Sequence, residues 1–186
     1  MAIQILQFLL EVVSGLVAGA CLLRLYMQAQ RVPFSNPIGQ LVFALSDWLV
    51  LPLRRLIRPG GKFDLSCLLG AVLVKLVHYT LLLLLLGGLN ASAAMLVPLL
   101  TFFGMLSMLL TGAIGILIVY AILSWVQPHA PIAGILARLS DPLLRPLRRV
   151  IPLVSGIDLS PLVAIIGLQV LQMMLSHLQM NVLLGR

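Results

Sequence analysis

The chain is short of charge. Only 9% of its 186 residues are Asp, Glu, Lys or Arg, where a soluble domain carries about a quarter. Acidic residues are the scarcest, with Glu11, Asp47, Asp64, Asp141 and Asp158 making up all five. Residues 91–126 contain no charged side chain. Apolar residues make up 61%, more than a soluble core of this size could hide. These shortages exclude a soluble domain and leave an integral membrane protein.

Cysteine is also scarce. Cys21 and Cys67 form no Cys-x-x-Cys pair and lie in apolar stretches. They read as reduced packing thiols, with no disulfide framework and no zinc spacing. Aromatic residues are 6% and do not interleave with the basic ones. A formal net charge of +7 therefore points to anionic lipid headgroups, not to nucleic acid. Each basic residue near such a surface contributes about 1 kcal/mol. Nucleotide-binding glycine loops and a Ser/His/Asp arrangement are missing, and Gly60-Gly61 reads as a turn. His78 and His177 are single histidines on separate apolar spans, with no Cys-x-x-Cys-His. No enzymatic activity and no cofactor, haem included, is expected. The N-terminus has no basic region ahead of its apolar run, so it reads as a retained helix.

Four apolar stretches are present, at about 3–28, 65–87, 103–126 and 159–183. Each has the length of a membrane crossing, about 20 residues. Pro98 is expected to divide 91–126 into a short surface piece and a span, with one tilted helix as the alternative. Tyr120 and Trp125 fall near the end of that span, where rings favour the interface. Between spans one and two, residues 37–46 read as a short helix. Asp47 then caps a second, amphipathic piece over 48–57 that lies in the interface, bent at Pro52. Between spans three and four, 132–140 is a short helix and Asp141-Pro142 starts the next. There Leu143, Leu144, Leu147, Val150 and Ile151 face the membrane and Arg145, Arg148 and Arg149 face water or headgroups. Asp64 and Asp158 are placed to cap the spans that follow them.

The strongest signal is a repeat. Ser46-Asp47 and Leu53-Arg54-Arg55 recur as Ser140-Asp141 and Leu147-Arg148-Arg149, 94 residues further on. The same offset carries Asp64-Leu65-Ser66 to Asp158-Leu159-Ser160 and Tyr26 to Tyr120. The fold expected is all-α: four transmembrane helices in two parallel two-span repeats (1–92 and 93–186), each with a cytoplasmic amphipathic interfacial segment. Arginine and lysine gather at the two linkers, as Arg24, Arg31, Arg54, Arg55, Arg58, Lys62, Arg138, Arg145, Arg148 and Arg149. By the positive-inside rule both linkers are cytoplasmic and both termini lie outside.

Two groups of side chains are candidate sites. Arg54, Arg55, Arg58, Arg145, Arg148 and Arg149 offer bidentate contacts to phosphate or carboxylate, from lipid or from a membrane-protein partner. Their simpler role is to set topology and anchor headgroups. Asp47 and Asp141 either brace Arg54 and Arg148 or only cap turns. The second group, Glu11, Lys75 and His78, is an intramembrane polar cluster. At 1.5 Å per residue, Lys75 and His78 lie roughly 16 and 21 Å beyond Asp64, and Glu11 roughly 25 Å from the linker end of its span. Such groups mark ion or proton routes, or a buried pair that specifies packing. The offset of 94 replaces them with Met105, Gln169 and Gln172, which does not support a symmetric channel.

The run Asp141-Pro142-Leu143-Leu144-Arg145-Pro146-Leu147-Arg148-Arg149-Val150-Ile151-Pro152, followed by Gly156-Ile157-Asp158-Leu159-Ser160-Pro161, resembles the YggT family of small bacterial membrane proteins. The resemblance extends over nearly the whole chain in two copies, the two-repeat proteobacterial form. The first copy departs from it, with Trp48 for Pro142, Leu51 for Arg145 and Arg31 for Trp125. The resemblance implies an inner-membrane protein linked to osmotic-stress resistance and potassium homeostasis. Plastid relatives are linked to cytochrome b6 haem attachment and nucleoid distribution, and Gram-positive relatives lie among cell-division genes. Two functions follow as expectations. One is a scaffold or assembly factor working through the Arg-rich linkers, with a membrane-protein partner or as a homo-oligomer. The other is an ion transporter or channel component using Glu11, Lys75 and His78.

Overall fold

The computed structural model describes residues 1–56, 64–87, 91–127, 130–149 and 158–184. Six helices occupy them: α1 (Ala2–Ala29), α2 (Pro37–Leu56), α3 (Leu65–Leu86), α4 (Ala91–Val126), α5 (Pro131–Arg148) and α6 (Ser160–Leu184). Helices α1, α3, α4 and α6 are long and apolar enough to cross a membrane. The chain is therefore a multi-pass membrane protein, with α2 and α5 as the linkers between paired spans.

Local chemistry sets the ends. Helix α1 stops where Arg31 takes a left-handed conformation, φ 53°, and the Val32 N–H turns back to the Met27 carbonyl at 2.9 Å. Asn36 opens α2: its side-chain oxygen accepts from the Gly39 N–H at 2.8 Å, and Pro37 fills the first helical position, where a missing N–H costs nothing. Gly39 is required there, because a Cβ would stand 2.4 Å from the Phe34 carbonyl oxygen. Asp64 precedes α3 and accepts from the Ser66 N–H at 3.1 Å.

Three expectations are corrected. The first linker is one continuous helix, not two pieces, so Asp47 lies in the interior of α2 and caps nothing. The second linker is likewise one helix, with Asp141, Pro142 and Pro146 all inside α5. Residues 91–126 are not divided at Pro98 but form one helix running through it, the alternative reading of this stretch. The physical reason is shared. Pro52, Pro98, Pro142 and Pro146 all sit on exposed surfaces, where the ring disturbs no packing. For the linker prolines, water or headgroups can take the carbonyl that a missing N–H leaves free.

The two halves are built alike. Helix α1 packs on α2 and α3, and α4 packs on α5 and α6; α3 and α1 join the halves by packing on α4. Ala18, Cys21, Leu22, Val50, Cys67 and Ala71 form one core with Met105. Leu117, Tyr120, Leu136, Leu144 and Ala164 form its counterpart in the second half. Leu144 is fully buried there, and Leu143 and Leu147 pack against the same cluster, so these leucines serve the protein core and not the membrane; Val150 and Ile151 lie outside the described residues. A third cluster of Met27, Val32, Val42 and Leu139 joins the halves at the linker face. There the Tyr26 hydroxyl donates to the Leu139 carbonyl at 2.6 Å. Deeper in, Tyr79 of α3 lies over Gly104 of α4, where a Cβ would stand 2.3 Å from the phenol oxygen.

Candidate functional site

The repeated arginines and aspartates come together in the same way in both halves. Arg54 Nε donates to Asp64 Oδ2 at 2.7 Å, and a second guanidinium nitrogen binds the same oxygen. In the second half Arg148 Nε donates to Asp158 Oδ2 at 2.9 Å, while Asp158 Oδ1 accepts from the Ser160 N–H at 2.9 Å. Each aspartate thus serves the helix that follows and holds the arginine of the helix before. This clasp ties the end of a linker helix to the start of the next span. The braces expected within the linkers are different: Asp47 pairs with Arg24 and not with Arg54. Asp141 lies 3.8 Å from Arg148 and 4.0 Å from Arg145, looser than the Asp158 contact.

The clasps carry a pH signature. Burial by itself would push the Asp64 carboxyl up, but the Arg54 hydrogen bond and charge, with the Ser66 N–H, hold it below the ordinary carboxylate range. Burial opposes Asp158 in the same way and is outweighed by the hydroxyl and N–H of Ser160 and by the hydrogen bond and charge of Arg148, which hold it low. A carboxylate depressed in the folded state contributes stability above its unfolded pKa, near 3.9. That contribution is lost as pH falls through the lower folded value. Asp64 is 4% exposed and Asp158 18%, so the first clasp should matter more. Asp64→Asn is expected to cost about 2 kcal/mol and Asp158→Asn about 1 kcal/mol, the span for charge-assisted hydrogen bonds at decreasing burial. Both variants should unfold in acid with a flatter dependence than the parent below pH 4, followed by circular dichroism in detergent.

The arginines now fall into two sets. Arg24, Arg54 and Arg148 are engaged internally. Arg24 is 2% exposed; its Nη1 donates to Ser46 Oγ at 2.9 Å and to Asp47 Oδ1 at 2.7 Å, with the guanidinium 4.6 Å from the Phe43 ring centre. Sequence reasoning counted Arg24 as a flanking charge and missed this role. The available signal was its repeat-related residue, Ile118, which marks Arg24 as peculiar to the first half. Arg148 also donates to the Tyr120 hydroxyl at 2.7 Å. Arg55, Arg138, Arg145 and Arg149 are exposed. On α5 and its C-cap, Arg138, Arg145 and Arg149 are spaced seven and four apart, which aligns them on one face. That face lies opposite the buried Leu136, Leu139 and Leu144. The first repeat keeps only Arg55 of this stripe, with Ala44 and Leu51 at the other positions. Arg58 lies outside the described residues.

The intramembrane group is looser than its sequence spacing suggests. His78 is buried, and its Nδ1 shares a 2.9 Å hydrogen bond with Ser14 Oγ across the α1–α3 contact. Glu11 is exposed and Lys75 half-buried; they lie on these same helices and form no ion pair among the described residues. The second half carries a related link, Gln172 Nε2 to Thr111 Oγ1 at 3.2 Å. Gln172 is the repeat partner of His78, so both halves join their spans through a polar side chain at one level. Among the described residues, no three His, Cys, Asp or Glu side chains gather as a metal set.

Comparison with known proteins matches this architecture twice over. The CCB3/YggT family profile fits residues 3–85 and again 99–179. Over 172 residues the chain is 37% identical to the protein YggT of Escherichia coli K12, covering 90% of this chain and 87% of that one. A Vibrio alginolyticus protein known by its place in the proC 3′ region is 35% identical over 170 residues, covering 88% and 89%. A Pseudomonas aeruginosa protein is 33% identical over 169 residues, covering 90% and 86%. No solved structure matches. With the profile fitted to each half, and the same Arg–Asp clasp closing each linker, the chain belongs to the CCB3/YggT family in a two-repeat form.

Proposed function

We propose that this chain is a non-enzymatic scaffold of the bacterial inner membrane, acting in osmotic-stress resistance and potassium homeostasis. Its docking element is the cytoplasmic face of α5. The observation that supports this reading is the outward stripe of Arg138, Arg145 and Arg149. Three other arginines are consumed by internal carboxylates, while Arg145 keeps 74% of its side chain exposed. The stripe spans about 17 Å along the helix, a length suited to an acidic segment of a membrane partner. Free guanidinium groups bind carboxylates in a bidentate manner, which gives such a surface direction as well as charge.

Replacing Arg138, Arg145 and Arg149 together with Gln should abolish capture of a partner by a photo-crosslinker placed at Pro142. It should also reduce cell survival after osmotic downshock by about tenfold or more, since each lost charge pair weakens docking by about 1 kcal/mol. The variant should still insert and fold, because none of the three touches the core. Full capture and full survival in the triple variant would overturn the scaffold.

A second reading rests on a different observation. His78–Ser14 and Gln172–Thr111 place polar links at one depth in both halves, beside Glu11 and Lys75. If these groups conduct, purified protein in liposomes passes potassium, and Glu11→Gln or Lys75→Met stops the flux while the triple arginine variant leaves it intact. That outcome would replace docking with transport.

A further inference from the structure

Helix α6 carries a polar row inside an apolar span. Gln169, Gln172, Ser176 and Gln179 recur at intervals of three and four, which places them on one face. These four side chains and Ser107 of α4 line a cleft of about 490 Å³. Much of their hydrogen-bonding capacity is unused. The Gln172 amide donates to Thr111 Oγ1 at 3.2 Å, and the Ser176 hydroxyl donates to the Met173 carbonyl at 2.8 Å. Among the described residues, the side chains of Ser107, Gln169 and Gln179 make no hydrogen bond. An amide or hydroxyl without a partner is costly in hydrocarbon.

The first repeat packs the equivalent pair of spans without this row. At the positions of Ser107, Ser176 and Gln179 it has Val13, Leu82 and Leu85, and Val13 lines an apolar groove between α1 and α3. Joining two spans therefore does not require the row. Only the polar link at Gln172, matched by His78, is common to both halves.

We propose that the α4–α6 cleft holds water, continuous with the aqueous phase at the end of α6 away from the linkers and reaching inward to Gln169. Gln179 lies about 8 Å from Leu184 at that end, and Gln169 about 15 Å deeper. The volume suits a column of waters, each taking about 30 Å³ as liquid. Water supplies the partners that the free amides and hydroxyls lack. The column is blind. Beyond Gln169, toward the linkers, the buried cluster of Leu117, Tyr120 and Ala164, with Ile165 and Leu168 packed against it, closes the way. Water thus enters the span and does not cross it, whatever the α5 arginines dock.

Thiol accessibility in nanodiscs, where both membrane faces meet solvent, tests this. Single cysteines replace Gln169, Ser176 or Ser107 in the full chain, with Val170, Met174 and Val13 as controls. Cys21 and Cys67 are fully buried, and the parent chain gives their background. Val170 and Met174 lie on the side of α6 away from the cleft, at nearby depths, 51% and 59% exposed. A charged methanethiosulfonate attacks the ionised thiol, which water favours and hydrocarbon suppresses. Gln169→Cys and Ser176→Cys should react at least about tenfold faster than Val170→Cys and Met174→Cys, and Ser107→Cys should outpace Val13→Cys by a similar factor. Gln169 and Ser176 are exposed, so these substitutions leave the fold intact. Adding Ser176→Leu to Gln169→Cys should slow the reaction to the Val170→Cys rate, because the leucine fills the way in. Equal rates on the two sides of α6, or a Gln169→Cys rate that Ser176→Leu leaves unchanged, would overturn the proposal.

Discussion

Gly104→Leu should destabilise the fold by about 3 kcal/mol, the upper part of the range for overpacking a filled contact. At this position a Cβ alone would stand 2.3 Å from the Tyr79 hydroxyl and 2.8 and 2.9 Å from two of its ring carbons. A shift of a few tenths of an ångström is not enough, so either the Tyr79 ring leaves its place over α4 or the two helices separate. These helices carry much of the contact between the repeats, so the damage spreads beyond one side chain. Unfolding by SDS titration in mixed micelles measures the loss. Gly112→Ala is the control, because nothing lies within 4 Å of its Cβ; it should be neutral or slightly stabilising, since Ala favours a helix over Gly by up to about 1 kcal/mol. Adding Tyr79→Ala to Gly104→Leu should recover part of the loss. If Gly104→Leu unfolds like the parent, the close approach of α3 and α4 is wrong.

Arg24→Met should cost about 2 kcal/mol. Breaking a fully buried ion pair costs 3 to 5 kcal/mol, roughly, but the Asp47 side chain is 41% exposed and water can serve it once Arg24 is gone. Met keeps much of the aliphatic volume, so the loss reports the guanidinium and not a cavity. Arg24→Lys should recover only part, because one ammonium does not reproduce a planar fork that reaches Ser46 and Asp47 while lying over Phe43. The double variant Arg24→Met, Asp47→Asn should lose less than the sum of the single ones, the mark of direct coupling. Additive losses in the SDS titration would mean that the two residues act separately.

The legible parts of this protein were those encoded by local composition. Apolar runs of membrane length predicted the four spans, and the structure places helices on all of them. The proline positions misled, because a proline reads as a break unless its exposure is known. Pro52, Pro142 and Pro146 lie on the outer faces of α2 and α5, so both linkers run as single helices and Asp47 and Asp141 lose their expected cap role. Asn36, which does cap α2, was overlooked because it stood among turn residues rather than beside a charged motif. The intramembrane group was half legible. Spacing put Lys75 and His78 on one face, but only the packing of α1 on α3 shows that His78 finds Ser14 and that Glu11 and Lys75 stay apart.

By itself the sequence determined the class, the span count and the duplication, since each depends on residue type and spacing along one chain. Tertiary structure alone decided which arginines are free. Arg54 and Arg148 stand beside Arg55 and Arg149 in the same repeated pair, and what separates them is whether folding brings a carboxylate to within about 3 Å. It also decided that, among the described residues, α3 packs on three helices and α6 on two. A repeat makes two segments alike in sequence, but packing depends on neighbours: the first repeat has the second beside it, and among the described residues α6 has no counterpart of the α3–α4 contact.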